Sequence, residues 1–218
     1  MHLSLIPFAP CPWVSRIDAR FSLTGDTIVC TWALTGNTRE IAWRFFPDDD
    51  RVAPDRVAPD RVAPDRVAPD RVAPDRVAPD RVAPDRVNNL WEHTCFEFFI
   101  GSVNTTRYYE FNLAPGGDWN TYSFSDVRQD MQETTRLICQ SSDFQLAPGE
   151  AWLEARLQFS EPVHEDSFRV GIAAIVEGTL ADPQSGRSHA FFALTHPGAR
   201  PDFHHRDGHT LLVTRICQ

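Results

Sequence analysis

Trp91-Glu92-His93-Thr94-Cys95-Phe96-Glu97-Phe98-Phe99-Ile100, followed by Arg107-Tyr108-Tyr109-Glu110-Phe111-Asn112-Leu113, decides the fold. Successive side chains of a strand point to opposite faces. In the first segment Phe96, Phe98 and Ile100 fall on one side, and Glu97 and Phe99 on the other. In the second the parity reverses: Tyr109, Phe111 and Leu113 read as the core face, and Tyr108, Glu110 and Asn112 as the opposite one. The short connection favours a hairpin, which brings Glu97 near Glu110 or Asn112 with Tyr108 beside them. Trp91 stands just before the first strand and Trp119 opens the next. One outward sheet surface is therefore expected to carry carboxylates, an amide and aromatic rings.

The same alternation extends through the rest of the chain. Val14–Leu23 and Ile28–Leu34 flank a Gly25-Asp26 hairpin turn. Further strands are expected at Glu40–Phe46, Trp119–Phe124, Thr135–Phe144, Ala151–Phe159, Phe168–Val176, Ala190–Leu194 and His209–Ile216. About eleven short strands at this spacing predict an all-β antiparallel sandwich of jelly-roll type. Helical periodicity is confined to Ser125–Glu133, where Ser125 is placed to cap a short turn. Alternating βα units and glycine-rich phosphate loops are missing from the sequence, which argues against nucleotide-dependent α/β enzymes.

Residues 51–85 are seven identical copies of Arg-Val-Ala-Pro-Asp. A period of five matches neither helix nor strand, and a proline in each unit removes a donor. Only Val and Ala are apolar, too little to offset ordering entropy. The expectation is one domain over 1–218, interrupted at 48–89 by a solvated, disordered repeat loop. Each copy carries one Arg and one Asp, so the net charge of −9 belongs to the remainder of the chain. With no clustered basic face, nucleic acid and anionic membranes are poor partners. Five cysteines without CxxC spacing, no signal-like N-terminus and no long apolar run predict a reduced, cytoplasmic protein.

A mixed surface of rings, carboxylates and an amide suits a sugar: C–H faces stack on aromatic rings and hydroxyls pair with Glu and Asn. The candidate ligand-binding residues are Trp91, Glu97, Tyr108, Glu110, Asn112 and Trp119. Structural roles compete: Trp91 as an end plug, Glu97 as a solvated strand carboxylate, Asn112 as a cap on the Ala114–Gly117 turn. Trp13, Trp32, Trp43 and Trp152 read as packing residues. Haem would need an axial pair, with Met131 reached by His189 or His196. A metal would have to use His204, His205, Asp207 and His209, and calcium would draw on Asp118, Asp126 and Asp130. A glycosidase would use two of Glu92, Glu97 and Glu110. His93 and Cys95 share a face but have no accompanying oxyanion feature. The reading is a non-catalytic glycan- or small-molecule-binding module without cofactor or metal.

The blocks 91–100, 108–115 and 117–120, with Phe192-Ala193-Leu194-Thr195-His196-Pro197 and Pro201-Asp202-Phe203-His204-His205, resemble the DOMON-like family, specifically a small bacterial subgroup. That family is related to carbohydrate-binding module family 9. The resemblance implies a jelly-roll sandwich with its ligand on one sheet. It also implies that Trp91 stacks on the sugar, Glu97 bonds its hydroxyls, Asn112 adds a polar contact and Trp119 is the nearest second platform. Haem-binding relatives form the alternative.

Overall fold

The computed structural model describes residues 2–44, 85–179 and 188–216. The pentapeptide copies lie outside these residues, apart from Asp85. Among the described residues there are twelve strands and no α-helix. They are β1 (His2–Pro7), β2 (Val14–Thr24), β3 (Thr27–Gly36), β4 (Cys95–Ser102), β5 (Tyr108–Leu113), β6 (Trp119–Phe124), β7 (Gln132–Glu133), β8 (Leu137–Ala147), β9 (Glu150–Phe159), β10 (Ser167–Glu177), β11 (His189–Ala193) and β12 (Leu211–Thr214).

All twelve join one curled antiparallel sheet in the order β7-β6-β5-β4-β10-β11-β1-β2-β3-β9-β8, with β12 on β10. β1 makes the fold close. Its first residues, His2–Leu5, pair with β2, while Ile6 and Pro7 pair with β11. The sheet therefore bends at β1 into two layers, β1-β2-β3-β9-β8 and β7-β6-β5-β4-β10-β11. Phe21 meets Phe98 at 5.4 Å and Trp32 meets Phe96 at 5.8 Å between ring centroids across the layers. The alternation drives this: Ile17, Ala19, Phe21 and Leu23 face Phe96, Phe98, Ile100 and Phe111 in one core. The all-β sandwich read from the sequence is the observed fold.

Three local expectations are corrected. Glu40–Phe46 is not a strand within its described residues: Thr38–Glu40 is a 3-10 turn, and Ile41 makes a single bridge to Gly178. Ser125–Glu133 is not helical. Arg128 and Asp130 adopt φ of 54° and 52°, outside the helical region, and Gln132–Glu133 pairs with β6. His209 precedes the last strand, at the end of a 3-10 turn over Arg206–Gly208. β1 itself is an added strand, hidden in the sequence by Pro7, Pro10 and Pro12.

Candidate functional site

The β4–β5 hairpin forms in the register that sets Glu97 opposite Asn112 and Phe99 opposite Glu110. Phe96, Phe98, Phe111 and Leu113 enter the main core, while Phe99 and Tyr108 join a second, smaller cluster on the other face. Glu97, Glu110, Asn112 and Tyr108 are thus brought together. Trp91 packs at the margin of this second cluster, edge-on to Tyr122 at 5.6 Å. It sits in a 3-10 turn (Leu90–Glu92) entered through Asn89, whose φ of 63° is left-handed.

Trp119 is not brought to this face. It pairs with Leu113, so it shares the inward parity of Phe111, 6.3 Å away, and packs in the main core under the Arg86 guanidinium. The register across the Ala114–Asp118 loop instead puts Asn120, Tyr122 and Phe124 outward. The Tyr122 hydroxyl donates to Asn88 Oδ1 at 2.6 Å. Asn120 donates to the same oxygen and to the Tyr122 hydroxyl.

The face is not an open surface. Glu97, Glu110 and Asn112 are 2%, 4% and 0% exposed. The segment after β11 returns across this face: His204 and His209 pack on Phe99 and Tyr108, His204 lies beside Glu110, and Phe203 packs against the same cluster. His209 stacks on Phe99 at 5.3 Å, and His204 meets Phe124 at 5.1 Å. The Arg128 backbone N–H donates to the Tyr108 hydroxyl at 3.2 Å. That leaves the Tyr108 proton for His204 Nδ1 at 2.8 Å and puts the imidazole proton on Nε2. His204 Nε2 then lies 3.7 Å from Glu110 Oε2, too long for a hydrogen bond. Arg128 also donates to Asp202 Oδ1 at 2.8 Å, clasping the returning segment.

Electrostatics follow from this cover. Burial pushes the Glu97 carboxyl well up, with the Glu110 charge adding to it. Burial pushes Glu110 up to about 7, against the Asn112 hydrogen bond and the Arg128 charge. His204 is pushed down to about 4, first by burial and then by Arg128. Burial raises Tyr108 and Tyr122 to about 12 each. Buried Cys95 is held well above the usual thiol range, so it is no nucleophile.

Asn112 does not cap the following turn. Its amide donates to Glu110 Oε1 at 2.8 Å. Its own Oδ1, like Glu97 Oε1, is buried with no hydrogen-bond partner. Two unpaired acceptors on directly opposed residues are costly, at roughly 1–3 kcal/mol each. A ligand donating two hydroxyls answers that deficit.

The haem pair, the metal cluster and the His93–Cys95 pair are not assembled among the described residues. Met131 lies before β7, at one end of the sheet, and His189 lies in β11, five strands away; at about 4.8 Å per strand they are roughly 24 Å apart. His196 is occupied at Ile6 O, 2.8 Å away. His205 accepts from the Asp207 N–H, and His209 Nε2 pairs with Phe203 O. Among the described residues no group of three or more His, Cys, Asp or Glu is placed to hold a metal. His93 pairs with Glu177, not with Cys95. Among the described residues no helix is long and apolar enough to cross a membrane.

The fold is shared with a candidate carbohydrate-binding protein from Bacteroides uniformis, at 14% identity and a TM-score of 0.56, over 100% of this chain and 86% of that one. A family 9 carbohydrate-binding module from Caldicellulosiruptor kristjanssonii aligns at 8% identity and a TM-score of 0.49, over 96% of this chain and 80% of the module in its glucose complex. Its cellotriose complex gives the same identity and score, over 98% and 84%. No protein-family model and no curated protein sequence matches the chain.

Proposed function

We propose that this protein is a non-catalytic carbohydrate-binding sandwich whose site is the outer face of the β4-β5-β6 strands. Glu97 Oε1 and Asn112 Oδ1 accept from sugar hydroxyls, Glu110 and Tyr108 hold the polar floor, and the Trp91 ring stacks on the sugar from the margin. The observation that carries the reading is the directly opposed, buried pair Glu97 and Asn112, whose Oε1 and Oδ1 have no hydrogen-bond partner, although the Cys95 thiol lies against the Glu97 carboxyl. The carbohydrate-binding description of the Bacteroides uniformis protein with the same sandwich agrees with it. Entry requires Trp91 and the returning segment at His204 to yield, because both acceptor atoms are shielded from solvent.

A neutral-glycan array followed by calorimetry tests this. The parent chain is expected to bind at least one glycan, and Trp91→Ala to weaken that binding by about tenfold or more. Glu97→Gln keeps the volume and serves as the variant that spares packing; it too is expected to weaken binding. Unchanged affinity in both variants overturns the site. Loss of folding in Trp91→Ala, with full binding in Glu97→Gln, makes Trp91 a structural plug.

A further inference from the structure

The opposite outer face of the molecule holds an open groove of about 510 Å³ on the β2-β3-β9 layer. Its shape follows from side-chain size across three registered rungs. Asp18, Ala33 and Trp152 form one; Arg20, Thr31 and Glu154 the next; Ser22, Val29 and Arg156 the third. The middle strand contributes the small members, Ala33, Thr31 and Val29, which make a floor. The flanking strands contribute walls at the first two rungs, Asp18 and Arg20 on one side and Trp152 and Glu154 on the other, while Ser22 is small and Arg156 does not line the groove. The floor runs about 14 Å along β3, at 3.4 Å per residue over four residues. That is the length of a short oligosaccharide, not of a single sugar ring.

The walls are chemically unspent. Asp18 is engaged, held by Arg16 at 2.7 Å and by the Ser4 hydroxyl. Arg20, Thr31, Trp152 and Glu154 have no side-chain hydrogen bond or ion pair among the described residues. Arg20 and Glu154 flank the same floor residue, Thr31, from strands about 10 Å apart. An anion drawn to Arg20 meets Glu154 on the far wall, and a cation drawn to Glu154 meets Arg20. A neutral polyol uses both, because one hydroxyl donates to the carboxylate while another, further along the sugar chain, accepts from the guanidinium. The half-buried Trp152 ring offers the flat wall that a pyranose C–H face needs. A peptide strand is disfavoured here, since this is a sheet face and not an edge with free backbone groups.

We infer that this groove is a second carbohydrate site, taking a neutral oligosaccharide laid along β3 between Trp152 and Glu154 on one wall and Arg20 on the other. It uses no residue of the site proposed above. The test follows the Trp152 indole N–H of the ¹⁵N-labelled full chain by NMR, assigned by its loss in Trp152→Phe. Cellohexaose, xylohexaose and mannohexaose are titrated, with a hyaluronan hexasaccharide as the anionic control. At least one neutral probe is expected to shift the Trp152 signal saturably, and to do so equally in Trp91→Ala. Arg20→Gln and Glu154→Gln are each expected to weaken that response about fivefold or more, one lost polar contact being worth roughly 1 kcal/mol. Silence of Trp152 towards all three neutral probes overturns the inference. So does a shift indifferent to both polar variants, or a stronger response to the anionic probe. The Trp91 indole, read in the same spectra, reports the other site, so the failure of either is seen separately.

Discussion

The outer faces of the two layers begin from the same alternation and end in opposite states. On the β2-β3-β9 layer, Arg20, Thr31 and Glu154 meet solvent. On the β4-β5-β6 layer, Glu97, Glu110 and Asn112 occupy equivalent outward positions and are buried. The strands do not make the difference; the returning segment does. Phe203, His204 and His209 cross the second face, and a notch at Gly171 admits them: a Cβ there would stand 2.5 Å from His209 Cδ2. A second small core results, with Phe99 against His209 and Tyr108 stacked on Phe124 at 4.8 Å. The sharpest way to break this contrast is truncation on each face. Phe99→Ala is expected to cost about 3–5 kcal/mol in urea unfolding, as a large buried ring does. Val29→Ala, on the open face, is expected to cost less than about 1 kcal/mol. Equal costs would mean that the returning segment lies on the sheet without packing.

The sequence showed one side of this contrast and not the other, for physical reasons. Period-two parity made the two faces of β4 and β5 legible, and a short connection made them a hairpin, so Glu97 opposite Asn112 was within reach. Trp119 went astray because its parity depends on register across the Ala114–Asp118 loop, and a slip of one residue exchanges the faces. Tyr122, three residues on and therefore on the opposite face, is the ring that reaches the covered surface. The cover was invisible because where a loop lands is a tertiary matter: nothing in Phe203-His204-His205 says which sheet lies beneath. Arg128 was unreadable for a different reason. A left-handed φ of 54° is uncommon in an arginine, and without it Ser125–Glu133 looks helical. The two buried acceptors could not be seen either, since pairing depends on atoms and not on residue types.

Acid–base behaviour separates the two faces next. Glu110 is raised from 4.5 to about 7, so the folded state holds its proton more tightly than the unfolded chain. Its contribution is fully present below about pH 4.5 and lost as pH rises to about 7, a change of about 3 kcal/mol at 1.36 kcal/mol per unit. His204 runs the other way. Lowered from 6.5 to about 4, it contributes above pH 6.5 and loses that contribution as pH falls towards 4. In the parent chain the two oppose each other between pH 4.5 and 6.5. Glu110→Gln keeps an acceptor for Asn112 and leaves His204 unopposed. Relative to the parent, this variant is expected to gain about 3 kcal/mol as pH rises from 4.5 to 7, followed by urea unfolding at half-unit steps. A flat difference for Glu110→Gln would show that solvent reaches the covered carboxyls and that the two faces are electrostatically alike.

The smallest expected effect decides what holds the cover down. Arg128 and Asp202 join β6's following turn to the returning segment at 2.8 Å, but their side chains are 58% and 32% exposed. Burial alone would raise Asp202; the hydrogen bond and charge of Arg128 outweigh it and hold the carboxyl below its usual 3.8. The ion pair is therefore complete at neutral pH and is lost only as pH falls below that value. An exposed pair of this kind contributes roughly 0.2–1 kcal/mol and is weakened by salt. Asp202→Asn retains an acceptor for the His204 backbone N–H, so only the charge is removed. A double-mutant cycle with Arg128→Gln is expected to give a coupling below about 1 kcal/mol, shrinking further in 1 M salt. If the coupling instead exceeds about 2 kcal/mol, the cover is an electrostatic latch and not a packed lid. Lowering pH or raising salt would then expose Glu97 and Asn112 without any loss of the sandwich beneath them.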